Sequence, residues 1–583
     1  MPLVARARAI APRITPLVAA VLLAGCASQQ LEEVTIRTDD LVRNRNEQLA
    51  DGVRSAPDLE TDRYPEGRPF PDGPETELSP GTRDPKAEEL PFKAKNQAQN
   101  EADAIIERIR QLAQAPTDAE PLTLDAAIEF AGTHAIEYTG AEQTYLLAAL
   151  SVVTAQRLFE PRFFNDTSFT AGQGLDPRYD AAMRAVNDFG VRQRLPYGGE
   201  VTARFIAEMT RSLDGATSGD GVESATFVLD GRLPLLQGAG AVAREPLVQA
   251  QRDLVYASRA FETFRRDFLV SIITDYLDLV LQINAIANAE RGVELNRQVE
   301  ERESALVAAG RQEPFQADLA RQATLFALDD LAAQQEAYRL SLDRFKVRIG
   351  MSAKRPIVIV PTELQLPIPD ATQDEAVRNA LDFRLDLQTA RDQLEDSRRR
   401  VDLAENGLLP ALDLVGNVRT NDPQLADGVN FDFSEAVYTA GVNLSLPLDR
   451  VDESVALRSA QVRYAQAERQ YQRTLDDAAV GVRRALREID RARFSLLLQE
   501  RNVDIARNRL ASIDAAPDRA TARDRTEAVS GLRNAQDSRA RSSRNLQVAI
   551  LNYLNAAGLL RVAPEGRLQP LPGMTVGEVL GGG

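Results

Sequence analysis

The 583-residue sequence has one cysteine, one histidine and no tryptophan. A single cysteine excludes an intrachain disulfide. With a single histidine it also leaves almost no material for a Cys/His metal cluster or a Ser-His or Cys-His catalytic pair. The one histidine, His134, falls in a helical segment and reads as structural or surface. Positive charge is in deficit: 69 Lys and Arg stand against 86 Asp and Glu, a net charge of −17, which argues against nucleic acid as a partner. Beyond the N-terminus no run approaches the ~18 apolar residues of a transmembrane helix, so any membrane crossing falls to strands. Acid pairs such as Asp329-Asp330 and Asp476-Asp477 lie in helical patterns where a solvated face accounts for them. Neither a nucleophile–base pair nor a phosphate-cradling glycine loop occurs. No catalytic residue, metal site or cofactor is therefore expected.

What is present is dominated by Pro246 to Gly350, which reads as a very long helix, a tight turn at Ala309-Gly310 and a second helix running back. From Pro246 to Ala309 no further proline intervenes, giving ~96 Å of helix at ~1.5 Å per residue. Two apolar seams run along it. One holds Phe264, Phe268, Ile272, Tyr276, Leu279, Ile283 and Ile286; the other holds Val270, Ile273, Leu277, Val280 and Ala287. They sit roughly 110° apart at ~100° per residue. One seam makes a two-stranded coiled coil, whereas two imply a neighbour on each side, as for a stave in a barrel.

The N-terminus has Arg6, Arg8 and Arg13, then the apolar run Leu17 to Leu23, then Ala24-Gly25-Cys26. These are the three zones of a secretory signal peptide. Leu23-Ala24-Gly25-Cys26 resembles the bacterial lipoprotein lipobox, which implies that Cys26 is the acylated, palmitate-bearing first residue of the mature chain. Ala27 in the next position resembles outer-membrane sorting. An ordinary signal peptide with an incidental cysteine is the plainer alternative. Residues 26–121 are acidic and rich in proline and read as an extended arm with no core of its own, with one helix near Gln97 to Leu112.

The remainder is a tandem duplication. Asp125-Ala126-Ala127-Ile128 matches Asp374-Glu375-Ala376-Val377, and Pro161 matches Pro410, both at a shift of 249 residues. Glu290 to Arg297 matches Glu500 to Arg507 at a shift of 210, which leaves 39 extra residues in the first repeat. Repeat one takes in 122–369, with an insert at about 172–210 and a long hairpin over 246–350. Repeat two takes in 370–562, with strands in 411–448 and a hairpin over 451–557, and a tail follows at 563–583. Each repeat opens with a helix, over 124–160 and 374–408, and Ile357 to Val360 forms a short strand. Two half-length helices, 315–349 and 374–408, together match the long one, so each repeat makes a full-height stave facing two stacked half-staves.

Between proline and long helix lie alternating segments. Leu412, Leu414, Gly416 and Val418 alternate with Asp413, Asn417 and Arg419; Ala440, Val442 and Leu444 alternate with Gly441, Asn443 and Ser445. Phe227, Leu229, Leu233 and Leu235 alternate with Thr226, Asp230 and Arg232. In the insert, Val201, Ala203, Phe205, Ala207 and Met209 alternate with Thr202, Arg204 and Glu208 after the turn-like Tyr197-Gly198-Gly199. Period two means one apolar and one polar face. With the helices committed to seams, a lipid-facing barrel with a wet interior fits better than a half-buried soluble sheet. The insert reads as an extra hairpin that either extends above the membrane or enlarges the barrel.

The order helix–strands–hairpin, twice over, resembles the TolC-type outer-membrane efflux channels. So do the phrases Leu408-Leu409-Pro410-Ala411-Leu412-Asp413-Leu414, Leu235-Leu236-Gln237-Gly238 and Arg523-Asp524-Arg525-Thr526-Glu527-Ala528. The resemblance spans about Leu122 to Val562, and the lipobox matches its lipid-anchored members. It implies a mainly α protein with membrane β, in which long helical hairpins form an α-barrel and amphipathic strands join a homotrimeric outer-membrane β-barrel. The implied partners are a periplasmic adaptor, an inner-membrane pump and outer-membrane lipid. The function it implies is the passive exit duct of a tripartite efflux or type I secretion system.

By the same resemblance, Asp524 and Glu527 ring the periplasmic entrance; the alternative is a solvated helix start, where acids favour the dipole. Gly310, Arg311, Gln316, Asp518 and Ala520 mark the hairpin tips offered to the adaptor. The family's acid–arginine tip pair, its usual closed-state lock, reads Gln316 and Ala520 here, a departure from the family pattern. The competing reading of the whole chain is a non-porous, lipid-anchored periplasmic coiled-coil protein.

Overall fold

The computed structural model describes residues 34, 36–47, 119–175, 177, 180–213, 221–422, 431–515, 520–562 and 575–578. The fold is mainly helical with an antiparallel sheet. In chain order the elements are α1 (36–47), β1 (Glu120–Leu122), α2 (Leu124–His134), α3 (Ile136–Gln156), β2 (Arg162–Gln173), β3 (Ala181–Arg194), β4 (Glu200–Ser212) and β5 (Gly221–Pro234). There follow α4 (Ala241–Ala308), α5 (Pro314–Arg348), β6 (Ile357–Ile359), β7 (Thr362–Gln365), α6 (Gln373–Phe383) and α7 (Leu385–Gly407). The last are β8 (Ala411–Asp422), β9 (Val437–Ser445), α8 (Val451–Ala515), α9 (Ala522–Ala556) and β10 (Thr575–Glu578). Cys26, Asp518 and the helix expected near Gln97 to Leu112 lie outside the described residues.

Contacts divide the chain into two compact units. One comprises Met1–Arg54, Glu142–Phe261 and Leu385–Thr474; the other comprises Ser55–Ala141, Glu262–Arg384 and Leu475–Gly583.

The first unit holds α1, α7, β2–β5, β8 and β9. Its strands form one antiparallel sheet in the order β2-β3-β4-β5-β8-β9. Beside them, Leu41 and Val42 of α1 pack against a small core of Tyr145, Ala149, Val152 and Leu254. The Tyr145 hydroxyl donates to the Val42 carbonyl at 3.4 Å, and burial pushes that phenol up to about 12. The sequence places no helix in the proline-rich arm before Gln97. Residues 36–47 are instead helical, because Leu41 and Val42 find on other helices the core that the arm lacks. Asp396, almost fully buried, is held by Arg399 at 2.6 Å, by the Tyr256 hydroxyl at 2.6 Å and by Arg252. A buried carboxylate needs this many donors to offset its lost hydration.

The second unit is organised by the middle of α4. Phe268, Leu269, Ile272, Ile273, Tyr276 and Leu279 enter one core with residues of α2, α5, α6, α8 and α9. By composition α4 contains an 18-residue window able to cross a membrane (mean hydropathy 1.5), against the expectation that no later segment would. The core cluster accounts for part of it, 39% of that window being buried. β1 pairs in parallel with β6, and β10 antiparallel with β7. Tyr276 ties the first pair down, its hydroxyl donating to the carbonyls of Leu122 at 3.0 Å and Val360 at 2.6 Å.

Three helix bounds differ from the sequence reading. α4 begins at Ala241 rather than Pro246, so the proline lies inside the helix. The segments expected as single helices over 124–160 and 374–408 are each broken, at Ala135 and Arg384, both in extended conformation. The breaks have one cause, repeated. Gly350 (φ +84°) ends the first hairpin against the carbonyl of His134, and a Cβ there would lie 2.1 Å from that oxygen. Gly558 (φ +73°) ends the second hairpin against Phe383, where a Cβ would lie 2.9 Å from the backbone. Only glycine tolerates both the dihedral and the approach.

Candidate functional site

Two places are candidates for function: the six-stranded sheet and the tips of the long hairpins.

The sheet is bifacial across its whole width. One register row reads Phe163, Val191, Ala203, Leu229, Val418 and Tyr438, one residue per strand. The adjoining row, on the opposite face, reads Arg162, Arg192, Thr202, Asp230, Asn417 and Thr439. The charged face is knit by cross-strand pairs: Arg184–Glu208 at 2.9 Å, Arg192–Glu200 at 3.2 Å, Arg204 to Asp188 and Asp230 at 3.5 and 3.6 Å, and Arg232–Asp413 at 2.6 Å. On the apolar face Phe163 and Phe169 are more than 70% exposed, and Tyr438, Val442 and Leu444 more than half. Polar residues on this face are satisfied locally: Asn187 donates to Asn165 at 2.8 Å and Thr167 at 2.7 Å, and Arg211 pairs with Glu223 at 3.8 Å. β2 and β9 each have one unpaired edge among the described residues. Phe431 and Phe433 cover only Phe205 and Phe227 on this face, and a greasy face so exposed, with open edges, has no stable place in water.

The insert is part of this sheet. β3 and β4 run 14 and 13 residues between β2 and β5. Their turn rests on the end of β5, since a Cβ on Gly199 (φ +89°) would meet the Arg232 carbonyl at 2.2 Å. Next to it, the Gly240 amide donates to the Tyr197 carbonyl at 2.8 Å. Phe164 lies over Gly190 across the β2–β3 pair, so close that a Cβ there would sit 2.5 Å from the ring.

At the tips, Gly310 takes φ +67° where α4 ends, with Arg311 N donating to Leu306 O at 2.9 Å. Gln316, on the first turn of α5, accepts from the Ala522 amide at 3.3 Å, so the first hairpin caps the start of α9 in the second. Ala520 precedes the Thr521 N-cap and carries no polar side chain. Thr521 and Asp524 form a capping box: the Asp524 carboxylate accepts from Thr521 Oγ1 at 2.7 Å and Thr521 N at 2.9 Å. Those bonds, the hydroxyl's first, hold the Asp524 carboxyl below the usual carboxylate range. Glu527 pairs with Arg523 at 2.8 Å and Arg509 at 3.7 Å. Within one chain, both acids therefore serve the start of α9.

Three residues that the sequence did not single out lace the hairpins together. Arg525, Arg533 and Arg544 lie within about 100° of one face of α9. Arg525 meets Glu303, Arg533 meets Asp330 at 2.6 Å, and Arg544 meets Asp278 at 2.6 Å, all acids of the first hairpin. Glu303 and Arg525 are both almost wholly buried. Among the described residues no His, Cys, Asp and Glu are grouped as metal ligands would be.

Residues 376–557 match the sequence profile of the family described as Outer membrane efflux protein. No curated protein sequence matches the chain. Solved structures do match in fold. The outer membrane protein VceC from Vibrio cholerae aligns with a TM-score of 0.56 at 18% identity, covering 75% of this chain and 96% of its own. The Campylobacter jejuni CmeC outer membrane channel aligns at 0.53 and 16%, covering 75% and 85%. The Neisseria gonorrhoeae MtrE outer membrane channel, solved in an open state, aligns at 0.54 and 14%, covering 75% and 89%.

Proposed function

We propose that the chain, whose residues 376–557 match the outer membrane efflux protein family, works as a homotrimeric exit duct anchored in the outer membrane by acylated Cys26. The observation that carries this reading is the bifacial sheet with its two open edges. Unpaired strand edges are not tolerated in hydrocarbon, so β2 of one copy must meet β9 of the next. Closure then turns the Phe163–Tyr438 row to lipid and the ion-paired row to a water-filled lumen. The count of three follows from the family resemblance.

By the family resemblance, the long hairpins would form the periplasmic part of the duct. Their tips, at Gly310, Arg311 and Gln316 in the first and Asp518 and Ala520 in the second, are the surface proposed for a periplasmic adaptor, itself coupled to an inner-membrane pump. Asp524 and Glu527 from three chains would converge on the entrance and favour cations over anions. The chain supplies no reaction step; its work is to shield a polar path. Extraction of the full-length protein in mild detergent tests the assembly. A particle with the mass of three chains is expected, and a monodisperse monomer would contradict it.

A further inference from the structure

We infer that the β3–β4 hairpin widens the membrane pore, so that three copies close an eighteen-stranded barrel. The inference rests on the trimeric duct reading above. It deepens that reading by fixing the pore's size and the polar chemistry of its wall.

Three observations carry it. First, β3 and β4 are full-length members of the sheet, paired over their whole extent with β2 and β5. At ~3.3 Å per residue and ~40° tilt their 14 and 13 residues rise ~33–35 Å, enough for the apolar band of an outer membrane. Second, the hairpin carries both register rows without a slip: Val191 and Ala203 continue the apolar row, Arg192 and Thr202 the polar one. A segment standing clear of the membrane has no reason to keep Phe189 half exposed beside Val191 and Ala203 in a continuous apolar row. Third, the glycine turn is wedged against Arg232 and the Pro234 end of β5, so the hairpin is pinned at the end where the sheet meets α4. It cannot swing out without breaking that seat.

The consequence is geometric. Six strands from each of three chains, at ~4.8 Å spacing and ~40° tilt, enclose a backbone cylinder ~36 Å across; without the hairpin, twelve strands enclose ~24 Å. The added wall brings Arg184, Asp188, Arg204 and Glu208 to the lumen as mutual pairs. The wider segment is thus lined by both charge signs and suits large hydrated cargo, leaving size selection to the helical part.

The test uses the full-length trimer. End-on electron cryo-microscopy averages should show a threefold ring of eighteen strands; a threefold ring of twelve would overturn the inference while leaving the duct intact. Particles with no ring would defeat the duct reading, and the strand count with it. A second readout places the hairpin independently. Val186 lies on the charged face opposite Glu208, and Ala185 on the apolar face opposite Met209. In outer-membrane vesicles a membrane-impermeant maleimide should label Val186→Cys at least tenfold faster than Ala185→Cys, against the unsubstituted chain as control. Equal, rapid labelling of both would place the hairpin in water and overturn the inference.

Discussion

Glu303 and Arg525 meet in a pocket closed to water, one on the descending helix of the first hairpin and the other on the ascending helix of the second. Each is the other's charge partner, and Glu303 Oε2 has no hydrogen bond besides. Removing one partner strands a buried charge, which costs about 3–5 kcal/mol, whereas replacing both by apolar residues of similar volume is close to neutral. Arg525→Ala and Glu303→Ala should each lower the thermal melting point of the detergent-solubilised protein, and Glu303→Leu/Arg525→Met should restore most of it. Additive losses in the double variant would show that the pair is not coupled.

The glycines at the hairpin ends should differ sharply. Gly350→Ala puts a methyl into the His134 carbonyl and should abolish folded trimer in outer-membrane fractions. Gly310→Ala meets nothing within 4 Å and carries only the dihedral cost, about 1–2 kcal/mol. Its trimer yield should be near that of the parent chain. Equal behaviour of the two would refute the wedge at the break between α2 and α3.

Asp524 carries a pH signature. A carboxyl whose folded pKa is depressed contributes stability above its ordinary pKa and loses it as pH falls through the lower, folded value. The Thr521 box should therefore keep Asp524 charged well into acid. In bilayer recordings, the cation preference that Asp524 supplies should persist as pH falls through the ordinary carboxylate range and fade only below it. Asp524→Ala/Glu527→Ala should weaken it at every pH. Reversal potentials that do not change with the double substitution would remove both residues from the entrance.

Acylation is checked by metabolic labelling. Palmitate should be incorporated into the parent chain and not into Cys26→Ser, which should move from the membrane pellet to a less tightly held fraction. Label retained in Cys26→Ser would place the lipid elsewhere.

Much of the fold was legible because its causes are local or periodic. The seams on α4 and the strand alternation need only neighbouring residues. The breaks at Ala135 and Arg384 were not legible, since neither position holds a proline or glycine. Their cause is Gly350 and Gly558, which lie more than 170 residues away along the chain. The helix at 36–47 was hidden in a proline-rich stretch because its core is borrowed from α3 and α4. The insert's alternation was visible, but not its neighbours, which are set by the glycine turn against β5. At the tips, Thr521-x-x-Asp524 was a readable capping box, so the acid's local role had a signal. Glu303 had none: it stands among Glu300 and Glu301 in a charged helix, and only the approach of Arg525 distinguishes it.

The account depends most on copies of the sheet closing around water. Purified full-length protein added to a planar bilayer measures that directly. Discrete steps of ohmic conductance from particles of trimeric mass are the expected result. An unchanged baseline from particles shown to be inserted would contradict it and leave a lipid-anchored rod in its place.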